Sequence, residues 1–219
     1  MRALVYRGPA SLPGCPEAVA ALLAEPRWGL DVRFVGPKED LALTGRALDG
    51  AALYAQPGGG TLRQGWRRMR GHRRTVRSYV DGGGAYLGFC LGAYLAGESP
   101  GFGLLPGDTD QYVAGDDAVL HTEDDALLEV DWHGHRRTVF AQDPAVFVVD
   151  ETGGVEILAR YPDGPPAALV APYGRGRVGV VGPHPEATAD WFTDAGLTAV
   201  DARDLARDLV DRTLERAHP

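Results

Sequence analysis

Two rhythms of apolar and polar positions alternate along the first hundred residues. Unbroken apolar runs at residues 3–6 (ALVY), 51–55 (AALYA) and 85–89 (AYLGF) have the length and continuity of strands buried on both faces. Residues 30–35 (LDVRFV) alternate instead, as a half-covered strand does. Between these runs the spacing turns helical. Residues 16–25 open on Pro16, suited to a first helical turn, and are closed by Pro26. In residues 61–80 the apolar positions Leu62, Trp66, Met69, Val76 and Val80 recur at helical intervals, and Gly82-Gly83-Gly84 stops them. A third helix is predicted from just after Cys90 to about Ala96. Strands alternating with helices predict an α/β fold with a mostly parallel sheet covered on both faces.

Beyond residue 110 the pattern changes. Runs at 126–132, 138–141, 146–149, 155–159, 168–171 and 178–181 are strand-like, separated by turn signals, and the helical period is scarce. This predicts an antiparallel β extension at about residues 110–175, set into or added to the parallel sheet. Residues 202–217 return to a helix, with Leu205, Leu209, Val210 and Leu214 on one side. With no linker, repeat or low-complexity segment, the 219 residues are read as one domain spanning 1–219.

Composition narrows the setting. Apolar residues are 44% of the chain, enough to bury a core without disulfides or metals. The net charge of −8 repels nucleic acid and anionic membrane, so neither is expected as a partner. Two cysteines, Cys15 and Cys90, make no disulfide framework and suit a reducing compartment. No leader-like segment and no apolar run of about 18 residues is present, so the expectation is a cytoplasmic protein.

The chemistry gathers at Gly88-Phe89-Cys90-Leu91-Gly92, a G-x-C-x-G motif between a predicted strand and a predicted helix. That is the setting of a nucleophile elbow, with cysteine as the nucleophile. The turn forces a strained backbone at the nucleophile, and the two glycines remove Cβ atoms that would collide. The dipole of the following helix favours negative charge on the sulfur. The amide of Leu91 would then face the reacting carbonyl.

A second motif, Gly182-Pro183-His184-Pro185-Glu186, follows the apolar run 178–181. On an extended chain residues i and i+2 face one side. His184 and Glu186 are therefore candidates for a base and the carboxylate that orients it. A third, Pro57-Gly58-Gly59-Gly60, follows the run 51–55 and can turn a backbone N–H toward a ligand. Gly59 and Leu91 are the candidate oxyanion donors.

The loop, the elbow and H-P-E, in that chain order, resemble the class I glutamine amidotransferase-like superfamily. More narrowly, residues 56–60, 84–94 and 182–186 resemble the family named for the N-terminal domain of biotin–protein ligase. The resemblance spans about residues 1–195. It implies a flavodoxin-like sheet and a Cys90–His184–Glu186 triad, with Cys90 as nucleophile, His184 as general base and Glu186 as its orienter. Gly58, Gly60 and Tyr94 fall at substrate-binding positions. Many such enzymes carry glutamine where this chain has Tyr94, and a phenol cannot offer an amide's paired donor and acceptor. A cysteine-dependent amidotransferase or amidohydrolase acting on a small-molecule amide is thus expected. A peptidase-like hydrolase and a silent binding module of the same fold stay open. No cofactor or metal is expected, and a homo-oligomer or a separate synthase partner is left open.

Other features read as structural. Seven arginines between Arg63 and Arg77 read as a solvated helix face. His133-Gly134-His135 and Gly174-Arg175-Gly176-Arg177 read as hairpin turns rather than a metal or ligand site. Cys15 reads as a loop cysteine, and Asp108, Asp110 and Tyr112 follow a loop that could overhang the pocket.

Overall fold

The computed structural model describes residues 1–215. Its nine-stranded sheet begins with the buried runs of the first half: β1 (Arg2–Tyr6), β2 (Asp31–Val35), β3 (Ala51–Gln56) and β4 (Ala85–Phe89), joined in parallel by β11 (Gly176–Val181). The order β2-β1-β3-β4-β11 is flavodoxin-like. β1, β3 and β4 are buried on both faces, which is why their sequences run apolar almost without a break, whereas β2, at the sheet edge, alternates and is largely uncovered. In β4, Ala85, Leu87 and Phe89 enter one core and Tyr86 the other.

The second half continues the sheet past β11. β10 (Pro166–Tyr173), β9 (Glu156–Arg160), β6 (Ala126–Trp132) and β7 (His135–Ala141) follow in that spatial order, each antiparallel to its neighbour. The predicted extension is thus in the main sheet, except for β8 (Ala145–Val149), which pairs antiparallel with β5 (Gly107–Gln111) in a separate two-stranded sheet. Strand β5 was absent from the sequence reading; its GDTDQ has no apolar residue to signal it. The β6–β7 turn is His133-Gly134, both at positive φ (52° and 82°), as a tight hairpin of this twist requires. His133 also pairs with Asp208 at 2.9 Å. Gly174-Arg175 is likewise the two-residue turn between β10 and β11.

Helices cover both faces. On one lie α1 (Cys15–Leu23) and α7 (Arg203–Leu214). On the other lie α2 (Gly45–Leu48), α3 (Leu62–Met69), α4 (Arg73–Asp81) and α5 (Leu91–Ala96). A short α6 (Ala189–Asp194) follows the H-P-E segment. The helix predicted over 61–80 is two: a 3₁₀ turn at Arg70–His72, holding Gly71, separates α3 from α4. Glycine is a poor helix former, and the tighter turn lets Met69, Val76 and Val80 all stay buried. The end of the helix predicted to residue 217 lies outside the described residues. Helix α7 packs close because of Gly179: a Cβ there would lie 1.8 Å from Thr213 Oγ1.

Candidate active site

Cys90 sits between β4 and α5 at φ 46°, ψ −107°. A side chain at positive φ is strained, and such strain persists only where the surroundings over-determine it. Here the Cys90 N–H donates to Val181 O at 3.0 Å and the Tyr94 N–H donates to Cys90 O at 3.0 Å. The flanking glycines are sterically required. A Cβ on Gly92 would lie 1.9 Å from Gln56 O, and one on Gly88 would lie 2.6 Å from Gly92 O. The elbow is pressed against the end of β3 and cannot carry side chains at those positions.

Gly58 joins the glycine loop to the two candidate reactive groups. A Cβ built on it would lie 2.6 Å from His184 Cε1 and 3.2 Å from Cys90 Cβ, so both side chains close on the same side of this residue. Gly59, at φ 106°, packs against the Leu12 backbone and, with Gly60, borders the cleft into which Cys90 opens. Leu91 opens α5, where N–H groups have no partner within the helix, and its side chain packs against Gly65 of α3.

His184 Nδ1 and Glu186 Oε1 are 2.8 Å apart, and both residues are buried. The sequence argument for this pair used an extended chain, and the structure corrects it. β11 ends at Val181, and Ala187 N–H bonds to His184 O at 3.2 Å. It is this turn, with Pro185 inside it, that swings Glu186 back to the imidazole. His184 is further held by its N–H bond to Phe140 O (2.8 Å) and by the rings of Phe140 and Trp191. Burial alone would push the His184 imidazolium down. The Glu186 carboxylate and the Cys90 sulfur outweigh it and hold the ring above the ordinary histidine range. The second carboxylate oxygen, Glu186 Oε2, is buried without a partner among the described residues. Such an oxygen is costly to bury, and a full positive charge on His184 offsets part of that cost.

Cys15 is the first residue of α1 and is buried, not a loop cysteine. Burial pushes its thiol up to about 12, with Glu186 and Cys90 adding to the effect. It stands near the site and holds its proton at neutral pH.

Above Cys90 lies a cleft of about 560 Å³. Part of its wall comes from residues the sequence reading missed: Arg63, Gln111, Glu123, Gln142 and Asp143. Gln111 Nε2 donates to both Glu123 Oε1 (2.9 Å) and Asp143 Oδ1 (2.8 Å), tying two carboxylates together. Burial, with Glu123 nearby, raises the Asp143 carboxyl; its bonds from Gln111 and Tyr94 oppose this. With Asp110 the wall carries three carboxylates against the single guanidinium of Arg63. Of this wall the sequence reading singles out Asp110, in a segment that could overhang the pocket, and the structure places it there. Asp108 instead accepts from the amides of Glu98 and Ser99, and Tyr112 is buried against Tyr161.

Tyr94 lines the same cleft, but its hydroxyl turns inward, toward the carbonyl oxygens of Asp143 (3.3 Å) and Pro144 (3.2 Å). Its donor is spent on the turn that carries Gln142, whose carbonyl accepts from the Cys90 thiol at 3.6 Å. Tyr94 is thus brought to the cleft as expected, and its hydroxyl also holds the wall. Among the described residues no group of three His, Cys, Asp or Glu side chains is arranged to hold a metal ion, and no helix is long and apolar enough to cross a membrane.

The sequence model of the family described as "Biotin-protein ligase, N terminal" matches residues 1–121. No curated protein matches the chain. Solved structures do. One described as a glutamine amidotransferase is 22% identical with a TM-score of 0.64, over 95% of this chain and 97% of that one. The PurLQS structure from Thermotoga maritima gives 18% and 0.65, over 96% and 98%. Gan42B, a GH42 β-galactosidase, gives 16% and 0.51, over 98% of this chain and 30% of that one. At these identities the likeness is one of fold.

Proposed function

The chain belongs to the biotin-protein ligase N-terminal family, with a class I glutamine amidotransferase-like fold, and from that premise we propose that it is a cysteine-dependent amide-processing enzyme. The observation that carries the reading is the strained Cys90 at the elbow, with the buried His184–Glu186 pair closing on the same glycine. In the proposed reaction the Cys90 sulfur, as thiolate, attacks the amide carbon. The charge that develops on the carbonyl oxygen is met by the amides of Leu91 and Gly59. His184, held protonated by Glu186, gives its Nε2 proton to the departing nitrogen as the C–N bond breaks. This leaves a thioester on Cys90. Water then attacks the thioester, His184 takes one proton back, and a carboxylic acid leaves as the thiolate re-forms.

Two observations weigh against glutamine itself as the preferred substrate. Tyr94 stands where an amide side chain would bind it, and the Tyr94 hydroxyl is engaged elsewhere. The carboxylates of Asp110, Glu123 and Asp143 favour an amide bearing a cationic group over an anionic one. The test is release of amine or ammonia from a panel of cationic, neutral and anionic amides, glutamine included, by wild type and Cys90→Ala. The reading predicts turnover of cationic amides, lost in the variant, and a thioester adduct on Cys90 by mass spectrometry. Turnover that survives in Cys90→Ala would sink it.

A further inference from the structure

A second cavity, of about 550 Å³, opens elsewhere on the surface, lined by Pro9, Gln64, Arg67, Arg68 and Arg70. The arginine run that looked in the sequence like a solvated face therefore encloses a concave site. From its chemistry and its place in the fold, we propose that this cavity binds a small ligand carrying two or more phosphate groups.

Charge segregation is the first argument. Between Asp49 and Asp81 the chain has seven arginines and no carboxylate, although its net charge is −8. Elsewhere Arg7, Arg27, Arg137, Arg160, Arg203 and Arg207 each face an acidic side chain. Arg73 and Arg77 bond to the carbonyl of Phe102. Arg67, Arg68 and Arg70 make no ion pair or side-chain hydrogen bond among the described residues, and all three are exposed. Favourable placement in the last turn of α3 accounts for one or two basic residues. It does not account for three converging on one hollow without a counter-charge. Guanidinium groups match phosphate oxygens with paired donors.

Topology is the second argument. β2 lies on one side of β1 and β3 on the other, so the chain reverses its direction of winding between β1 and β3. Pro9 comes from the segment after β1; Gln64, Arg67 and Arg68 come from α3, which follows β3, and Arg70 from the 3₁₀ turn after it. Open α/β sheets bind ligands in the crevice outside the carboxyl ends of strands at such a reversal. A volume of this size suits a small molecule rather than a nucleic-acid duplex.

The experiment is calorimetric titration of inorganic tripolyphosphate into the full chain and Arg67→Gln/Arg68→Gln, at about 150 mM salt, where remote charges are screened. The expected result is a dissociation constant on the order of 10–100 µM, weakened about tenfold or more in the variant. Circular dichroism and Cys90 alkylation at wild-type rate show that the variant is folded. A second measurement needs no variant. Tripolyphosphate should protect Arg67, Arg68 and Arg70 of the wild type from phenylglyoxal, read by peptide mass spectrometry. Absence of binding at millimolar ligand, equal affinity in the variant, or unprotected arginines overturns the proposal. So does tighter binding of citrate, a dodecathymidylate or a polyglutamate peptide, which would assign the face to another class of partner.

Discussion

Replacing Gly58 by alanine perturbs the candidate site through one methyl group. Gly58 is not at positive φ, so alanine fits the backbone, and the substitution acts through its Cβ alone. That Cβ would lie 2.6 Å from His184 Cε1, against about 3.4 Å for ordinary contact, so something must yield by about 0.8 Å. The ring has little freedom to yield. Its backbone N–H is bonded to Phe140, its faces meet Phe140 and Trp191, and Nδ1 lies 2.8 Å from Glu186. A shift of that size would disturb the geometry on which the Nδ1–Glu186 bond and the placement of Nε2 depend. A misplacement approaching 1 Å costs on the order of 100-fold in rate, or about 2.7 kcal/mol in the barrier. Global stability should fall by only about 1 kcal/mol, since alanine also lowers the entropy of the unfolded chain. The assay is iodoacetamide alkylation of Cys90 at pH 7, followed by mass spectrometry together with a thermal melt. Cys15, whose thiol is pushed up to about 12, stays silent under these conditions. The expected result is alkylation at least about tenfold slower in a folded protein. Gly50→Ala is the converse control: at φ 71° with open space around its Cβ, it should cost about 1 kcal/mol of stability and leave alkylation unchanged. If folded Gly58→Ala alkylates within about twofold of wild type, the contact reasoning is refuted.

In Glu186→Gln, burial should dominate at His184 and pull its titration down. In wild type the raised ring gives its full stabilisation below the ordinary histidine value of about 6.5 and loses it only in the alkaline range. Ring ¹⁵N shifts should therefore report imidazolium at pH 8 in wild type and neutral imidazole in the variant; identical shifts would refute this. Glu25→Gln tests the joint between α1 and α7, where Arg207 and Arg203 hold the Glu25 carboxyl below its usual range. A lowered carboxyl stabilises above its unfolded value of about 4.3 and loses that contribution as pH falls through the folded value. Urea unfolding should show a deficit of about 1 kcal/mol at pH 7, discounted for partial exposure, that closes by about pH 3. Tyr94→Phe should lower the melting temperature by about 2–4 °C, for about 1 kcal/mol of lost hydrogen bonding. Faster amide exchange in residues 141–145 would accompany it, and an unchanged melt and exchange pattern would show that the hydroxyl is not holding that turn.

The parallel half of the sheet was legible because strands buried on both faces leave unbroken apolar runs, as at β1, β3 and β4. G-x-C-x-G was legible because the elbow tolerates no side chain at Gly88 or Gly92, a steric demand that one residue type alone meets. Strand β5 was not, since its side chains are polar and only its backbone pairing with β8 makes it a strand. The H-P-E pair was identified for a reason the structure replaces: a turn, not an extended chain, brings Glu186 to His184. The cleft wall at Gln111, Glu123 and Asp143 left little trace, because its members are ordinary polar residues brought together by segments distant in sequence. The arginine cavity was visible only as a charge run, since concavity depends on where Pro9 falls beside α3.

The bond from His184 N–H to Phe140 O has a bearing on biogenesis. As the chain leaves the ribosome, the thiol and its glycine loop emerge first. The imidazole arrives some ninety residues later, at a synthesis rate of about 5–20 residues per second. Even then it can be seated only after β7 has been laid down at the far edge of the sheet. Contacts so distant in sequence form late in folding. On the proposed mechanism, a nascent or clipped chain ending within the first half would carry the sulfur without its proton donor and stay unreactive until its last strands were in place.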